Sequence, residues 1–122
     1  MKERELMMKK IVLFAFNGEP MCFIHVLLNA LNMKIAGHDV KVVIEGAATK
    51  LIPELIEEGN PLAVFYRSAR EKGLIEGVCK ACANKTGSLK AAEEQGLRLL
   101  DDMSGHPGMA RYINNGYEVI TF

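Results

Sequence analysis

The chain alternates short runs of consecutive apolar residues with longer segments in which apolar residues recur every three or four positions. Lys10–Phe16 is apolar from its second residue onward, a pattern typical of a strand buried on both faces of a parallel sheet. Met21–Ala36 has the helical spacing, with Pro20 suited to the first turn and Gly37 to the end. These segments therefore predict a strand followed by a helix.

The same alternation continues to the last residue. It predicts four further strands, which are Asp39–Glu45, Leu74–Val78, Leu97–Leu100 and Tyr117–Phe122. It also predicts four further helices, which are Lys50–Glu58, Pro61–Lys72, Ser88–Gln95 and Pro107–Asn115. Strands that alternate with helices indicate an α/β fold, in which a mainly parallel sheet is covered on both faces. At 122 residues, the chain is long enough for one such domain, spanning 1–122, with a single core.

Composition narrows the class of protein without naming a partner. Hydrophobic residues make up 49% and charged residues 25%, which is typical of a globular protein rather than a disordered chain or a membrane protein. Fifteen basic residues balance fifteen acidic ones, so direct nucleic-acid binding is not predicted. The sequence shows neither a signal-peptide pattern nor a run of about 20 apolar residues. We expect a cytoplasmic protein that does not contact a membrane.

Cysteine is the residue type that points to chemistry. The chain has three cysteines, of which Cys79 and Cys82 form a C-x-x-C motif directly after the third predicted strand. In a reducing compartment, an odd set of three favours metal binding or thiol chemistry over structural disulfides. Ligands of parallel α/β sheets bind beyond the carboxyl ends of the strands, where helix N-termini attract anions such as thiolates. We therefore predict a reactive Cys79 with a lowered pKa, assisted by Cys82 and Lys80 as further catalytic residues.

Three predicted loops meet at that edge of the sheet: Asn17–Pro20, Glu45–Thr49 and Cys79–Gly87. The residues predicted to bind substrate there are Asn17, Gly18, Glu45, Gly46 and Lys85. His38 and His106 stand in other loops and are expected to be solvated rather than catalytic. No G-x-G-x-x-G motif and no Walker motif is present, so we predict no nucleotide cofactor.

The cysteines also have two other interpretations. A cysteine at the end of a strand, such as Cys79, is often only a small buried hydrophobic residue. Cys22 and His25 form a Cys-x-x-His pair one turn into the first predicted helix. If that helix approaches the third strand, Cys22, His25, Cys79 and Cys82 would supply four ligands for tetrahedral zinc.

Several segments together resemble the DsrE/DsrF-like family of small sulfur-relay proteins. The resemblance covers nearly the whole chain and is carried by Lys10–Phe16, Gly37–Gly46, Gly77–Cys82 and Gly116–Phe122. It implies a three-layer α/β/α fold with a five-stranded parallel sheet, and assembly into homotrimers, hexamers or dimers. It also implies that Cys79 carries a persulfide, that Cys82 belongs to a C-x-x-C variant, and that the partners are sulfur donor and acceptor proteins.

Three hypotheses about function follow. In the first, the protein is a sulfur carrier that holds a persulfide on Cys79 and passes the outer sulfur to an acceptor thiol. In the second, it binds zinc or a small ligand through Cys22, His25, Cys79 and Cys82. In the third, it is a non-catalytic subunit of an oligomer, and its cysteines are incidental.

Overall fold

The structure of the protein is a computed structural model that describes residues 7–122, so residues 1–6 of the predicted domain lie outside the described part. The sheet has five strands in the order β4-β3-β2-β1-β5, and every neighbouring pair is parallel. The strands are β1 (Lys10–Ala15), β2 (Asp39–Ile44), β3 (Ile75–Cys79), β4 (Leu99–Leu100) and β5 (Tyr117–Thr121). The predicted α/β class and parallel sheet are confirmed.

Strand β1 forms the centre of the sheet, because it pairs with β2 on one side and with β5 on the other. Residues Ile11–Ala15 are all buried, as their uninterrupted apolar run predicts. At the carboxyl end of β1, Ala15 pairs with Ile44 of β2. The loops that follow these two strands therefore start level with each other at one edge of the sheet.

Five α-helices are found in the described part of the chain: α1 (Pro20–Ile35), α2 (Ala63–Glu71), α3 (Lys80–Thr86), α4 (Leu89–Glu94) and α5 (Ala110–Asn114). Helix α1 begins at Pro20, and Gly37 follows its end with a φ of 96°, as predicted. One face of α1 is buried through Phe23, Val26, Leu27 and Ala30. Among the described residues, no helix combines the length and the apolar character needed to cross a bilayer.

The helices cover both faces of the sheet, but unequally. The chain moves from β1 through β2 and β3 to β4 in one direction across the sheet. Helices α1 to α4 pack on one face of the sheet and share one hydrophobic core with it. The return from β4 to β5 crosses the opposite face, where Tyr112 of α5 packs with Val12, Phe14 and Val43. The result is the expected three-layer arrangement, with all five strands ending at the same edge.

The predicted helix over Lys50–Glu58 is wrong, because this segment contains two short 3₁₀ helices, Gly46–Leu51 and Glu54–Ile56. Pro53 lies between them, has no N–H to donate and crowds the preceding turn. The N–H of Ile52 donates to the carbonyl oxygen three residues earlier, at 3.2 Å, rather than to the one four residues earlier. The connection from β2 to α2 is therefore tighter than an α-helix.

Helix α3 is a second difference between the prediction and the structure. Lys80–Thr86 belongs to a segment that is predicted as a loop, but it is helical. Its seven residues are too few for a hydrophobic period to show, although Ala81 and Ala83 favour a helix. Gly87 ends it with a φ of 77°, a left-handed conformation that glycine adopts without strain. The first helix and the third strand have the predicted lengths and are shifted by one residue. The other predicted elements are present with shorter bounds; the last helix begins at Ala110 rather than at Pro107.

Candidate functional site

The two cysteines of the C-x-x-C motif lie where β3 passes into α3. Cys79 is the last residue of β3 and the N-cap of α3. The backbone N–H of Cys82 donates to the Cys79 Sγ at 3.3 Å, so the sulfur takes the place of a capping oxygen. Cys79 is fully buried and Cys82 half-buried. The strand therefore fixes Cys79, and the first turn of the helix turns Cys82 back toward it.

His106 reaches the cysteines from the loop between β4 and α5. Its Nδ1 lies 3.1 Å from the Cys79 Sγ and 3.5 Å from the Cys82 Sγ. His106 is partly exposed, as expected, but it also lies against both sulfurs, which the sequence did not predict. The signal that sequence reasoning missed is its position shortly after a strand, at the same sheet edge as the cysteines. The side chain of His38, in contrast, accepts a hydrogen bond from the Lys9 N–H at 3.0 Å and does not belong to the cluster.

A tight turn holds His106 in place. The N–H of Met103 donates to the carbonyl of His106 at 2.7 Å, and the N–H of His106 donates back at 2.9 Å. The two residues between them have positive φ angles, 50° for Ser104 and 91° for Gly105. The carbonyl of Gly105 also accepts the N–H of Ala81 at 2.9 Å, which fastens the turn to α3. Local backbone geometry thus sets the distance between the imidazole and the sulfurs.

Glu45 completes the cluster from the end of β2. This residue is buried, and its Oε1 lies 3.7 Å from Nδ1 of His106. Burial raises the pKa of the Glu45 carboxyl, while the neighbouring His106 acts in the opposite direction. One donor atom from each of Glu45, Cys79, Cys82 and His106 lies within 4.8 Å of the others. Glu45 is the predicted binding residue that the structure brings to the cysteines.

The predicted lowering of the pKa of Cys79 is wrong. Burial raises the pKa of this thiol to about 12, because a thiolate without water around it is poorly solvated. The N–H of Cys82 opposes the shift, whereas the side chain of Cys82 and the charge of Glu45 add to it. Ionisation of Cys79 therefore requires a nearby group that takes its proton.

Three of the other predicted binding residues lie in the loops that follow β1 and β2, and Lys85 lies in the last turn of α3. Gly18 lies against the following loop, since a Cβ there would be 2.7 Å from the carbonyl oxygen of Ala47. Gly46 has a φ of 54°, Asn17 accepts the Glu19 N–H at 2.9 Å, and Lys85 is exposed near the end of α3. The structure brings the loops of Asn17–Pro20 and Glu45–Thr49 together, while their role in binding stays a prediction.

The side chain of Lys80 lies next to a carboxylate of the loop after β4. Its Nζ lies 3.8 Å from the Oδ2 of Asp101, and both side chains are more than half exposed. The two residues, with Ala81, Asn84, Leu89 and Gly105, line a cavity of about 400 Å³ next to the turn that carries His106. Lys80 is therefore placed beside the turn that carries His106, and a catalytic role for it stays a prediction.

The predicted zinc ligand set is wrong in two of its four members. Cys22 and His25 are exposed on α1, because the neighbouring positions Phe23 and Val26 are the ones that face the core. Among residues 7–122, the group of side chains able to hold a metal ion consists of Glu45, Cys79, Cys82 and His106. The helix thus turns the Cys-x-x-His pair to its outer face, and strand ends supply the cluster instead.

Comparison with known proteins gives a family but no described function. A protein from Methanocaldococcus jannaschii is 31% identical over 96 residues, which is 79% of this chain and 76% of that protein, and its name is uncharacterized protein. Two proteins from Archaeoglobus fulgidus, also named uncharacterized, are 36% identical over 62 residues and 56% identical over 36 residues. These cover 51% and 30% of this chain, and 100% and 97% of those proteins.

No solved structure matches the chain significantly. The sequence model of the DsrE/DsrF-like family matches residues 8–122. This range includes every strand and helix described above and all four members of the cluster. The chain therefore belongs to the DsrE/DsrF-like family.

Proposed function

We propose that this protein is a sulfur carrier that holds a persulfide on Cys79 and passes the outer sulfur to an acceptor thiol. The observation that carries the proposal is the 3.1 Å contact between the Cys79 Sγ and Nδ1 of His106, at the end of β3 in a member of a sulfur-relay family. A nucleophile within hydrogen-bond reach of a base is the arrangement that activates a thiol. The partners are then sulfur donor and acceptor proteins.

Loading begins with the Cys79 thiol giving its proton to His106. The resulting thiolate attacks the outer sulfur of a donor persulfide, R–S–SH, so that a new S–S bond forms on Cys79. The bond between the two donor sulfurs breaks, the donor leaves as a thiolate, and the proton on His106 neutralises it. The same exchange in reverse, with an acceptor thiolate as the attacking group, unloads the carrier.

Glu45 supports this step through charge. When His106 takes the proton, its imidazolium lies 3.7 Å from the Oε1 of the buried Glu45. A carboxylate at that distance stabilises the imidazolium, which favours transfer of the thiol proton to His106, although the same negative charge raises the pKa of Cys79 directly. Glu45 thus contributes to ionising a thiol whose burial opposes ionisation.

Cys82 provides a second way to unload the carrier. Its thiolate can attack the inner sulfur of the Cys79 persulfide, which forms a Cys79–Cys82 disulfide and expels hydrosulfide. The two thiols are oxidised by two electrons, and the outer sulfur is reduced to sulfide. An external dithiol then returns the disulfide to two thiols. With Cys82 in place, the protein releases sulfide; with Cys82 removed, it retains the persulfide.

Access to Cys79 requires movement, because its side chain is fully buried. The tight turn Met103–His106 lies against the sulfur and is joined to α3 by the hydrogen bond from the Ala81 N–H to the Gly105 carbonyl. Displacement of this turn toward the adjacent cavity would expose the sulfur and remove its base at the same time. Donor binding must therefore leave His106 near Cys79 until the proton has been transferred.

Peptide mass spectrometry after incubation with a low-molecular-weight persulfide donor tests the proposal. Trypsin cleaves after Lys72, Lys80 and Lys85, so Cys79 and Cys82 fall on separate peptides unless a disulfide joins them. We expect the Gly73–Lys80 peptide to gain the mass of one sulfur atom, and a Cys82→Ser variant to retain this mass for longer than wild type.

Two matched variants complete the experiment. Cys22→Ser removes the exposed cysteine outside the site and should leave the labelling of Cys79 unchanged, whereas Cys79→Ser should abolish stable labelling. An unmodified Cys79 in a sample whose Cys22 is labelled would contradict the proposal. Wild-type activity in cells that carry only Cys79→Ser would instead favour the non-catalytic subunit. Cytoplasmic location and assembly into homo-oligomers stay predictions; light scattering on the purified protein measures the second.

A further inference from the structure

Three atoms converge on a single nitrogen of His106. The Cys79 Sγ, the Cys82 Sγ and the Glu45 Oε1 lie 3.1, 3.5 and 3.7 Å from Nδ1, respectively. An imidazole nitrogen either carries one hydrogen or offers one lone pair, so hydrogen bonds to it cannot satisfy all three groups together. In a relay of a thiol, a histidine and a carboxylate, the carboxylate contacts the ring nitrogen that the thiol does not use. The observed convergence differs from that relay.

We propose that Glu45, Cys79, Cys82 and His106 form a four-coordinate binding site for one Zn²⁺ ion. A cation at the centre of the four groups bonds to all of them at once, which no pattern of hydrogen bonds among them achieves. The site uses the two thiols of the proposed sulfur carrier, but it stands on geometry alone and does not depend on sulfur transfer.

The separations between the donor atoms fit this ion. Zinc bonds of about 2.0–2.3 Å, arranged tetrahedrally, place neighbouring donors about 3.3–3.8 Å apart. The separations of 3.1, 3.5 and 3.7 Å lie in or close to that range, and all four donors lie within 4.8 Å of one another. To complete the coordination, the shortest separation lengthens by a few tenths of an ångström and the longest shortens by up to about one ångström, and side-chain rotations provide both changes.

The chemistry of the donors also selects zinc. Two thiolates and an imidazole suit Zn²⁺, whereas Ca²⁺ and Mg²⁺ require six or more ligands that are mainly oxygen. Three negative charges on Glu45, Cys79 and Cys82 exceed the charge of the ion by one, and zinc binding releases the protons of both thiols. The burial that disfavours a free thiolate therefore does not disfavour a metal-bound one.

The ligands are held by separate elements that meet at one edge of the sheet. Glu45 follows β2, Cys79 ends β3, Cys82 lies in the first turn of α3, and His106 comes from the turn after β4. A bound ion would join these elements and hold the turn that carries His106 against α3. It would also block Cys79, so zinc occupancy and sulfur loading exclude each other.

Metal titration of the reduced, chelator-treated full chain tests the site. We expect one Zn²⁺ per chain in competition with a chromophoric chelator, and one Co²⁺ per chain with the visible absorption of a tetrahedral site and a thiolate-to-cobalt charge-transfer band. His106→Ala and Cys82→Ser should each weaken zinc binding at least tenfold, as expected for loss of a direct ligand. Circular dichroism establishes that both variants are folded.

Matched variants make the outcome decisive. Cys22→Ser and His38→Ala remove a cysteine and a histidine outside the cluster and should bind zinc as wild type does. Sub-stoichiometric binding by wild type, or equal affinity in folded His106→Ala, overturns the zinc site. Persulfide labelling of Cys79 in the metal-free protein is measured separately, so failure of the zinc site and failure of the sulfur carrier give different results. Slower labelling after addition of one equivalent of Zn²⁺ supports mutual exclusion.

Discussion

Replacement of His106 by glutamine provides a direct test of how Cys79 is ionised. Glutamine keeps a polar side chain of similar reach beside the Cys79 Sγ but cannot accept the thiol proton at neutral pH. His38→Gln is the matched control, because the His38 side chain lies outside the cluster and accepts the backbone N–H of Lys9. Both variants are studied metal-free, so that the measurement reports on the thiol and not on a bound ion.

The expected magnitude follows from the burial of Cys79. With a pKa of about 12, on the order of one Cys79 in 10⁵ carries a thiolate at pH 7 when no base assists. Proton transfer to a positioned base typically contributes about 100-fold to 10,000-fold. We therefore expect His106→Gln to slow the reaction of Cys79 at pH 7 by at least about 100-fold, and His38→Gln to leave it unchanged.

The assay follows alkylation of the Gly73–Lys80 peptide by iodoacetamide over a series of pH values. Without His106, the rate should rise about tenfold for each pH unit until the pH approaches the raised pKa of Cys79. With His106, the rate should change much less near neutral pH, because the thiol gives its proton to the imidazole. A change in access alone would shift the rate by the same factor at every pH.

Two results would refute this reasoning. The first is a rate for His106→Gln within about twofold of wild type at pH 7, which would show that the 3.1 Å contact plays no part in ionisation. The second is the same dependence on pH in both proteins with a lower overall rate in the variant. That result would assign His106 to the opening of the site rather than to proton transfer.

Three further predictions concern the framework around the site. Gly77→Ala should lower the free energy of unfolding by about 1–3 kcal/mol in urea, because the new Cβ would lie 2.6 Å from the Arg98 carbonyl oxygen. Burial raises the pKa of Tyr66 to about 12, so its contribution to the free energy of unfolding should be constant below pH 10 and decrease between about pH 10 and 12. The loss should reach up to about 3 kcal/mol, and Tyr66→Phe should remove it. Ser104→Val should loosen the turn and weaken zinc binding, whereas Ser104→Gly should not, because a β-branched residue is strained at a φ of 50°.

Each of these predictions has an outcome that contradicts it. Gly77→Ala with an unchanged urea midpoint would mean that β3 and β4 can move apart at no cost. A Tyr66→Phe protein that loses stability in alkali as wild type does would assign the effect to other groups. Equal metal affinity in Ser104→Val and Ser104→Gly would show that the conformation of the turn does not position His106.

The sequence predicts much of the fold because local patterns are strong where a strand is buried on both faces. Ile11–Ala15 is an example, since consecutive apolar residues have few other structures in which all of them are buried. Prediction is wrong where the pattern is short or interrupted. The seven residues of α3 give no period, and Pro53 changes the hydrogen bonding of a segment whose apolar spacing is otherwise helical.

The candidate site was likewise predictable from the sequence only in part. The C-x-x-C motif after a strand identifies Cys79 and Cys82 from the sequence alone, and the rule that parallel strands end at one edge also places Glu45 there. His106 carries no such motif. Its proximity to Cys79 depends on the pairing of β3 with β4 and on a turn with two positive φ angles, neither of which leaves a periodic signal.

The sequence by itself determined the order of the five strands, most of the helices between them and the position of the thiols along the chain, because hydrophobic periodicity and residue type are local properties. Only the tertiary structure decided which groups surround those thiols. It turned Cys22 and His25 outward, brought Glu45 and His106 to the sulfurs, and buried Cys79 so that its pKa rises rather than falls. The physical reason is that distances and desolvation arise from the packing of elements that are far apart in the chain.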